Sequence, residues 1–266
     1  MSMTAQGIFG NLEEVRLKSP LVHNITNYVV MNLTANALLA VGASPVMAHA
    51  REEVEDMVNI ASALVINIGT LSAPWIESMK KAARQAQKKG IPVIYDPVGA
   101  GATPYRTRTV RTLIQTVPPA VVRGNASEII AIADDACKTK GVDSAAAAEA
   151  ALDSARWLNE KYGCVVCVSG ATDYIVDKNA MAMIKNGHAL MPRVTGLGCT
   201  ASALCGAFAA VNSDHYAATT AAMAVMGIAG EIAAEKAKGP ASLQVEFLDA
   251  LFNMKSEDIQ KRLKIS

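Results

Sequence analysis

Two glycines one residue apart, Gly196 and Gly198, lie in V-T-G-L-G-C-T at 194–200, directly before an Ala-rich run. If that run is a helix, its first backbone N–H groups and the positive end of its dipole converge on one point, which suits an anion. Glycine at both positions lets the backbone approach a phosphate with no Cβ in the way. An isolated G-x-G more often marks a turn at a helix start, so the motif needs company. Cys199 follows, and read as the first helical residue it sits where the helix end favours a thiolate able to accept a proton or to attack. The plainer alternative is a small buried hydrophobe, which is how Cys205 reads further along the same run.

Company comes from two other places. Tyr95-Asp-Pro-Val-Gly-Ala-Gly-Ala-Thr103 puts Asp96 at the end of an apolar, strand-like run and follows it with a glycine-rich loop. Arg123-Gly-Asn-Ala-Ser-Glu128 repeats the arrangement, with a cation suited to phosphate and a carboxylate able to hold Mg²⁺ directly or through water. Taken singly, Asp96 reads as a turn cap and Glu128 as a first-turn carboxylate behind an Asn125 cap. Ligands of parallel sheets collect at the carboxyl ends of strands, so three such sites in one chain point together to a phosphate and metal centre.

Near the N-terminus, His23-Asn-Ile-Thr-Asn27 precedes an apolar helical stretch, and Met47 leaves a short strand in Ala43-Ser-Pro-Val-Met-Ala48. On residue type alone Asn27 is a helix cap and Met47 is core. The four histidines have no H-x-x-x-H spacing, which argues against zinc. Cys164 and Cys167 mimic C-x-x-C, yet in a strand residues i and i+3 point to opposite faces, so they share neither a metal nor a disulfide.

The elements that must position these residues alternate. Ala63–Ile68 and Ile91–Asp96 are nearly continuous apolar runs, as in strands buried on both faces. Between them Ile76, Met79, Ala83 and Ala86 recur at helical spacing, and Gly90 follows Lys88 and Lys89 as a stop. Ala120–Arg123, a helix over about 144–162 and Cys164–Ser169 repeat the unit, predicting an α/β fold with a mostly parallel sheet between helices. Residues 173–177 and 181–184 read as a hairpin at one edge. Helices are expected over 199–211 and 215–235 and from about Leu243, and a flexible loop over 134–144, with Lys138, Lys140 and Gly141.

Composition narrows the function. At 266 residues and 51% hydrophobic content, residues 1–266 suit one large domain. With 25 Lys and Arg against 24 Asp and Glu, no broad field invites nucleic acid or an anionic membrane. Five scattered cysteines and an N-terminus without a signal-peptide pattern suit the cytoplasm. The apolar stretch from Tyr28 to Ala43 is broken by Asn32, Thr34 and Asn36, so a buried helix is expected there rather than a membrane span.

In order along the chain, V-H-N-I-T-N-Y-V-V at 22–30, G-A-S-P-V-M at 42–47, N-I-G-T-L at 67–71, D-P-V-G-A-G-A-T at 96–103, R-G-N-A-S-E-I at 123–129 and V-T-G-L-G-C at 194–199 resemble the hydroxyethylthiazole kinase family. The resemblance covers about Leu21 to Gln244 and implies a ribokinase-like three-layer sandwich. It implies ATP-dependent phosphorylation of the primary hydroxyl of 4-methyl-5-(2-hydroxyethyl)thiazole in thiamine synthesis or salvage. It places Met47, Gly196 and Asn27 at the thiazole alcohol. Arg123 and Ser169 fall at ATP contacts, with Gly198 and Asn125 beside them. Asp96 and Glu128 fall at the acidic pair around Mg²⁺, and Cys199 where most ribokinase-like enzymes carry an Asp base. It further implies a homotrimer with active sites between subunits. The rival readings are a hydroxymethylpyrimidine or pyridoxal type of kinase, a cysteine-nucleophile hydrolase built on Cys199, and a sensor that binds without consuming ATP.

Overall fold

The computed structural model of the chain describes residues 3–133 and 144–266. In chain order its elements begin α1 (Ala5–Lys18), β1 (Leu21–Ile25), α2 (Met31–Val41), β2 (Ser44–Val46), α3 (Val54–Ile60), β3 (Ala63–Asn67), α4 (Ala73–Lys89) and β4 (Val93–Asp96). They continue with α5 (Pro104–Thr116), β5 (Val121–Asn125), α6 (Ala126–Ile132), α7 (Ser144–Tyr162), β6 (Val165–Ser169) and the hairpin β7 (Asp173–Asp177) and β8 (Ala180–Ile184). Four helices finish the chain: α8 (Leu197–Ala209), α9 (His215–Lys236), α10 (Pro240–Asn253) and α11 (Ser256–Arg262).

The eight strands form one sheet in the order β2-β1-β3-β4-β5-β6-β7-β8, parallel from β2 through β6 and antiparallel at β7 and β8. Period-two alternation sends neighbouring side chains into different layers. In β3, Leu64 and Ile66 join the core under α3 to α7, whereas Val65 joins the core under α1, α2 and α8 to α11. Both faces are therefore apolar, as a parallel sheet sandwiched by helices requires. The same alternation separates Cys164 and Cys167 into opposite cores, and the four described cysteines are free.

Local signals place the helix ends. Ser72 Oγ accepts from Trp75 N at 3.4 Å and Pro74 occupies the first turn, which start α4. Gly90, at φ 78°, ends it in the left-handed region. The structure moves two expected boundaries and adds elements that were not expected. The helix after Gly196 begins at Leu197, so Cys199 is its third residue and not its first. The helix expected from about Leu243 starts at Pro240, and α11 follows it. α1 and β1 also precede the elements read from sequence. The expected loop over 134–144 falls outside the described residues except for Ser144.

Among the described helices, α9 alone is long and apolar enough to cross a bilayer, and most of it is buried inside the fold. The two margins of the sheet differ. β2 has three residues with Pro45 among them. β8 is covered by the chain's own end: Met183 and Ser266 exchange backbone hydrogen bonds at 2.8 and 3.1 Å, and Lys185 N donates to Lys264 O at 2.9 Å.

Candidate active site

Parallel strands finish at the same side of a sheet, and in β3, β4, β5 and β6 the last residue is polar. Asn67 and Asp96 are register partners at the ends of β3 and β4; Asn125 and Ser169 are partners at the ends of β5 and β6. Gly196, at φ 91°, turns the chain into α8 in a conformation that a side chain would strain, and this brings the helix's first turn to those strand ends. A Cβ on Gly196 would also stand 3.0 Å from Val30 Cγ1.

One hydrogen-bonded chain crosses the site. Asn27 Nδ2 donates to Asn67 Oδ1 at 3.0 Å and lies 3.5 Å from Cys199 Sγ as a donor. Asn67 Nδ2 donates to Asp96 Oδ2 at 2.8 Å, and Ser202 Oγ donates to the same oxygen at 2.8 Å. Among the described residues no donor reaches Asp96 Oδ1. Gly69 is required beside this chain, because a Cβ there would fall 2.5 Å from Asn27 Nδ2.

Burial raises the Asp96 carboxyl to about 6, against the opposing pull of Arg123 and the hydrogen bonds from Ser202 and Asn67. The Cys199 thiol is pushed up to about 11, first by burial and then by the neighbouring Asp96 charge. The thiolate expected from the helix end is thus corrected. A helix terminus contributes about 0.3–1 kcal/mol, under one pKa unit, and burial outweighs it. Cys199 is a protonated thiol.

On the other side of Asp96, Arg123 Nη1 donates to Gly198 O at 3.0 Å, so a permanent cation lies against the positive end of α8. The Arg123 charge is answered by the nearby Asp96 carboxylate, and a fixed cation beside a helix start makes this the side of the site suited to an anion. Glu128 is a clamp: Oε1 accepts from Gly99 N and Oε2 from Asn125 N, each at 2.8 Å. Asn125 Oδ1 in turn accepts from Glu128 N at 2.9 Å, a reciprocal cap that fixes the glycine loop to the start of α6. Ser169 Oγ donates to Gly124 O at 3.2 Å. Met47 is not drawn into this network; it lies half-buried just past β2.

Three participants escaped the sequence reading. Asn67 ends β3 as Asp96 ends β4, so the strand-end argument reaches it equally. Ser202 lies three residues after Cys199, the helical spacing that shares a face. Arg106 braces two loops, donating to Ile68 O at 3.0 Å, Gly69 O at 2.7 Å and Val98 O at 2.8 Å; nothing local in the sequence marks it.

A helix-flanked, mostly parallel sheet with a glycine-bounded helix start over its strand ends is the arrangement this chain shares with the ribokinase-like class. A solved ribokinase-like superfamily protein from Enterococcus faecalis superposes with a TM-score of 0.67 over 94% of this chain and 89% of its own, at 14% identity, which bears on the fold alone. Sequence likeness narrows the class: residues 12–257 match the profile of the hydroxyethylthiazole kinase family. A hydroxyethylthiazole kinase from Syntrophus aciditrophicus is 59% identical over 266 residues, covering 100% of this chain and 98% of the relative. The solved structure of a hydroxyethylthiazole kinase protein from Pyrococcus horikoshii OT3 superposes with a TM-score of 0.90 at 44% identity, covering 98% of each chain. The chain belongs to the hydroxyethylthiazole kinase family.

Proposed function

We propose that this chain, working as one kinase domain over residues 1–266, moves the γ-phosphoryl group of ATP to the primary hydroxyl of 4-methyl-5-(2-hydroxyethyl)thiazole, a step of thiamine synthesis or salvage. The observation that carries the reading is the meeting of Arg123, the glycine-bounded start of α8 and Asp96 on one side with Asn27 and Cys199 on the other.

Phosphoryl transfer of this kind passes through a loose transition state, so placement and charge neutralisation matter more than proton removal. Arg123 and the α8 N–H groups, with Gly198, Asn125 and Ser169 around them, take the phosphate charge. Asn27, Gly196 and Met47 take the thiazole alcohol. Cys199 shapes the pocket between them; because the hydroxyl proton need leave only late, a protonated thiol is no obstacle. The same protonation, and the lack of any hydrogen bond from a histidine to Cys199 among the described residues, leaves the cysteine-hydrolase reading without support.

Among the described residues no three His, Cys, Asp or Glu side chains gather into a metal cage. In kinases Mg²⁺ keeps waters and takes one or two carboxylates plus substrate phosphates. Asp96 and Glu128 would hold it, and bound there it would neutralise charge on the transferring phosphates. Exposed apolar side chains beside Asn27 suit the homotrimer that the family resemblance implies, and the free cysteines suit a cytoplasmic enzyme.

ATP consumption by the purified chain with and without the thiazole alcohol, with the product weighed by mass spectrometry, tests the reading. Hydroxymethylpyrimidine and pyridoxal serve as competing acceptors. ATP turnover that none of these alcohols stimulates would sink it.

A further inference from the structure

Asn67 is 1% exposed, and the kinase reading gives it no task. Its amide is oriented by necessity. Gly69 N–H donates to it at 2.9 Å and can only donate, so the atom facing Gly69 is the oxygen and the amino group must face Asp96. The loop that supplies this N–H is itself held, because Arg106 binds the carbonyls of Ile68 and Gly69 and ties them to Val98. Oδ1 therefore receives Asn27 at 3.0 Å while Nδ2 reaches Asp96 at 2.8 Å. One rigid planar group meets both halves of the site.

We propose that Asn67 is a positioning residue for phosphoryl transfer: its fixed amide sets the Asn27–Cys199 pair and the Asp96 carboxylate in one register, so that the acceptor alcohol and the phosphates are aligned by a single side chain. Without it, Asn27 loses its buried acceptor and turns about its own side-chain bonds, and Asp96 keeps only Ser202 on Oδ2. A displacement of about 1 Å in a reacting pair costs about 100-fold in rate. The inference rests on the kinase reading and assigns the alignment within it.

The test compares the full chain with Asn67→Ala, Asn67→Asp, Asn27→Ala and the Asn27→Ala/Asn67→Ala double variant, measuring kcat and the KM for ATP and for the thiazole alcohol. Asn67→Ala is expected to lower kcat by about 10- to 100-fold while the KM for ATP moves less than about 3-fold. Because Asn67 acts through Asn27, the double variant should fall no more than about 3-fold below Asn67→Ala alone, whereas an independent structural role would multiply the two losses. Asn67→Asp keeps an acceptor for Gly69 and Asn27 and sets a second carboxyl against Asp96 in place of the amide donor, so that at an assay pH of 8 the two carboxylates repel. It is expected to keep the KM for the alcohol and lose kcat, and it carries the test if Asn67→Ala does not fold. Multiplying losses, or an unchanged kcat in folded Asn67→Ala or Asn67→Asp beside an active parent, overturns the inference. A parent that turns over no alcohol overturns the kinase reading instead.

Discussion

The phosphate side and the acceptor side of this site are finished to different degrees by one chain. Asp96 Oδ2, Arg123 Nη1 and both Glu128 carboxylate oxygens are held by hydrogen bonds within their own chain, Glu128 by two backbone N–H groups. Next to the buried Asn27, by contrast, Tyr28 and Val29 are 62% and 69% exposed. Tyr28 rests on Trp75 at 4.9 Å between ring centroids, and Trp75 on His49 at 4.3 Å, an aromatic group with one open side. Charge has to be arranged within a single folded unit, because each ångström of error is costly. An apolar acceptor needs only cover, and cover can come from the ligand or from another copy of the chain.

The sharpest way to break this contrast is to attack the phosphate side. Asp96→Ala should lower turnover by about 1,000-fold while the protein stays folded, as loss of a preorganised charge at a reacting centre does. A loss under tenfold, measured by product formation, would mean the charge there is not used. Next comes the open side. Tyr28→Asp should weaken self-association by about 30-fold if a second copy covers it, the cost of a central interface residue. Light scattering across a dilution series reads this, and an unchanged mass would leave the cover to the acceptor alone. At the border between the sides, Cys199→Ala should keep turnover within about tenfold, and Cys199→Asp should retain or raise it, because proton removal is the lesser part of a loose transfer. A folded Cys199→Asp protein with no turnover would contradict that.

The smallest effect lies behind the phosphate side. Burial raises the Asp173 carboxyl from 3.8 to about 6. A raised carboxyl gives stability in full below its unfolded value and loses it as pH rises through the folded one. From pH 5 to 8 this group should therefore cost the parent about 1.4 kcal/mol, and Asp173→Asn should remove that part of the slope. Thermal unfolding of the two proteins at both pH values measures it; parallel curves would refute the assignment.

How much of this was legible in sequence follows from how local each cause is. Asp96 and Arg123 could be found because a charge at the end of an apolar run stands out, and the mostly parallel character of the sheet follows from runs such as Leu64-Val65-Ile66. Asn67 ends the same kind of run but looks like a boundary residue, since its meaning depends on Asp96, a register partner 29 positions away. Ser202 looks like filler in an Ala-rich helix until the helix is laid on the sheet. The Cys199 protonation state stayed open in sequence because the helix end is local information and burial is not. Domain extent, metal and assembly stay with the family resemblance, which no single-chain geometry replaces.

The sheet's two margins have a colloidal consequence. One is a three-residue strand interrupted by Pro45, and the other is stitched to residues 264–266. Neither offers a long row of free N–H and C=O groups on which a foreign strand could be templated. Crowded native molecules therefore have no backbone route to open-ended fibres, and whatever assembly they adopt must be made by side chains, where a closed number of copies can be specified.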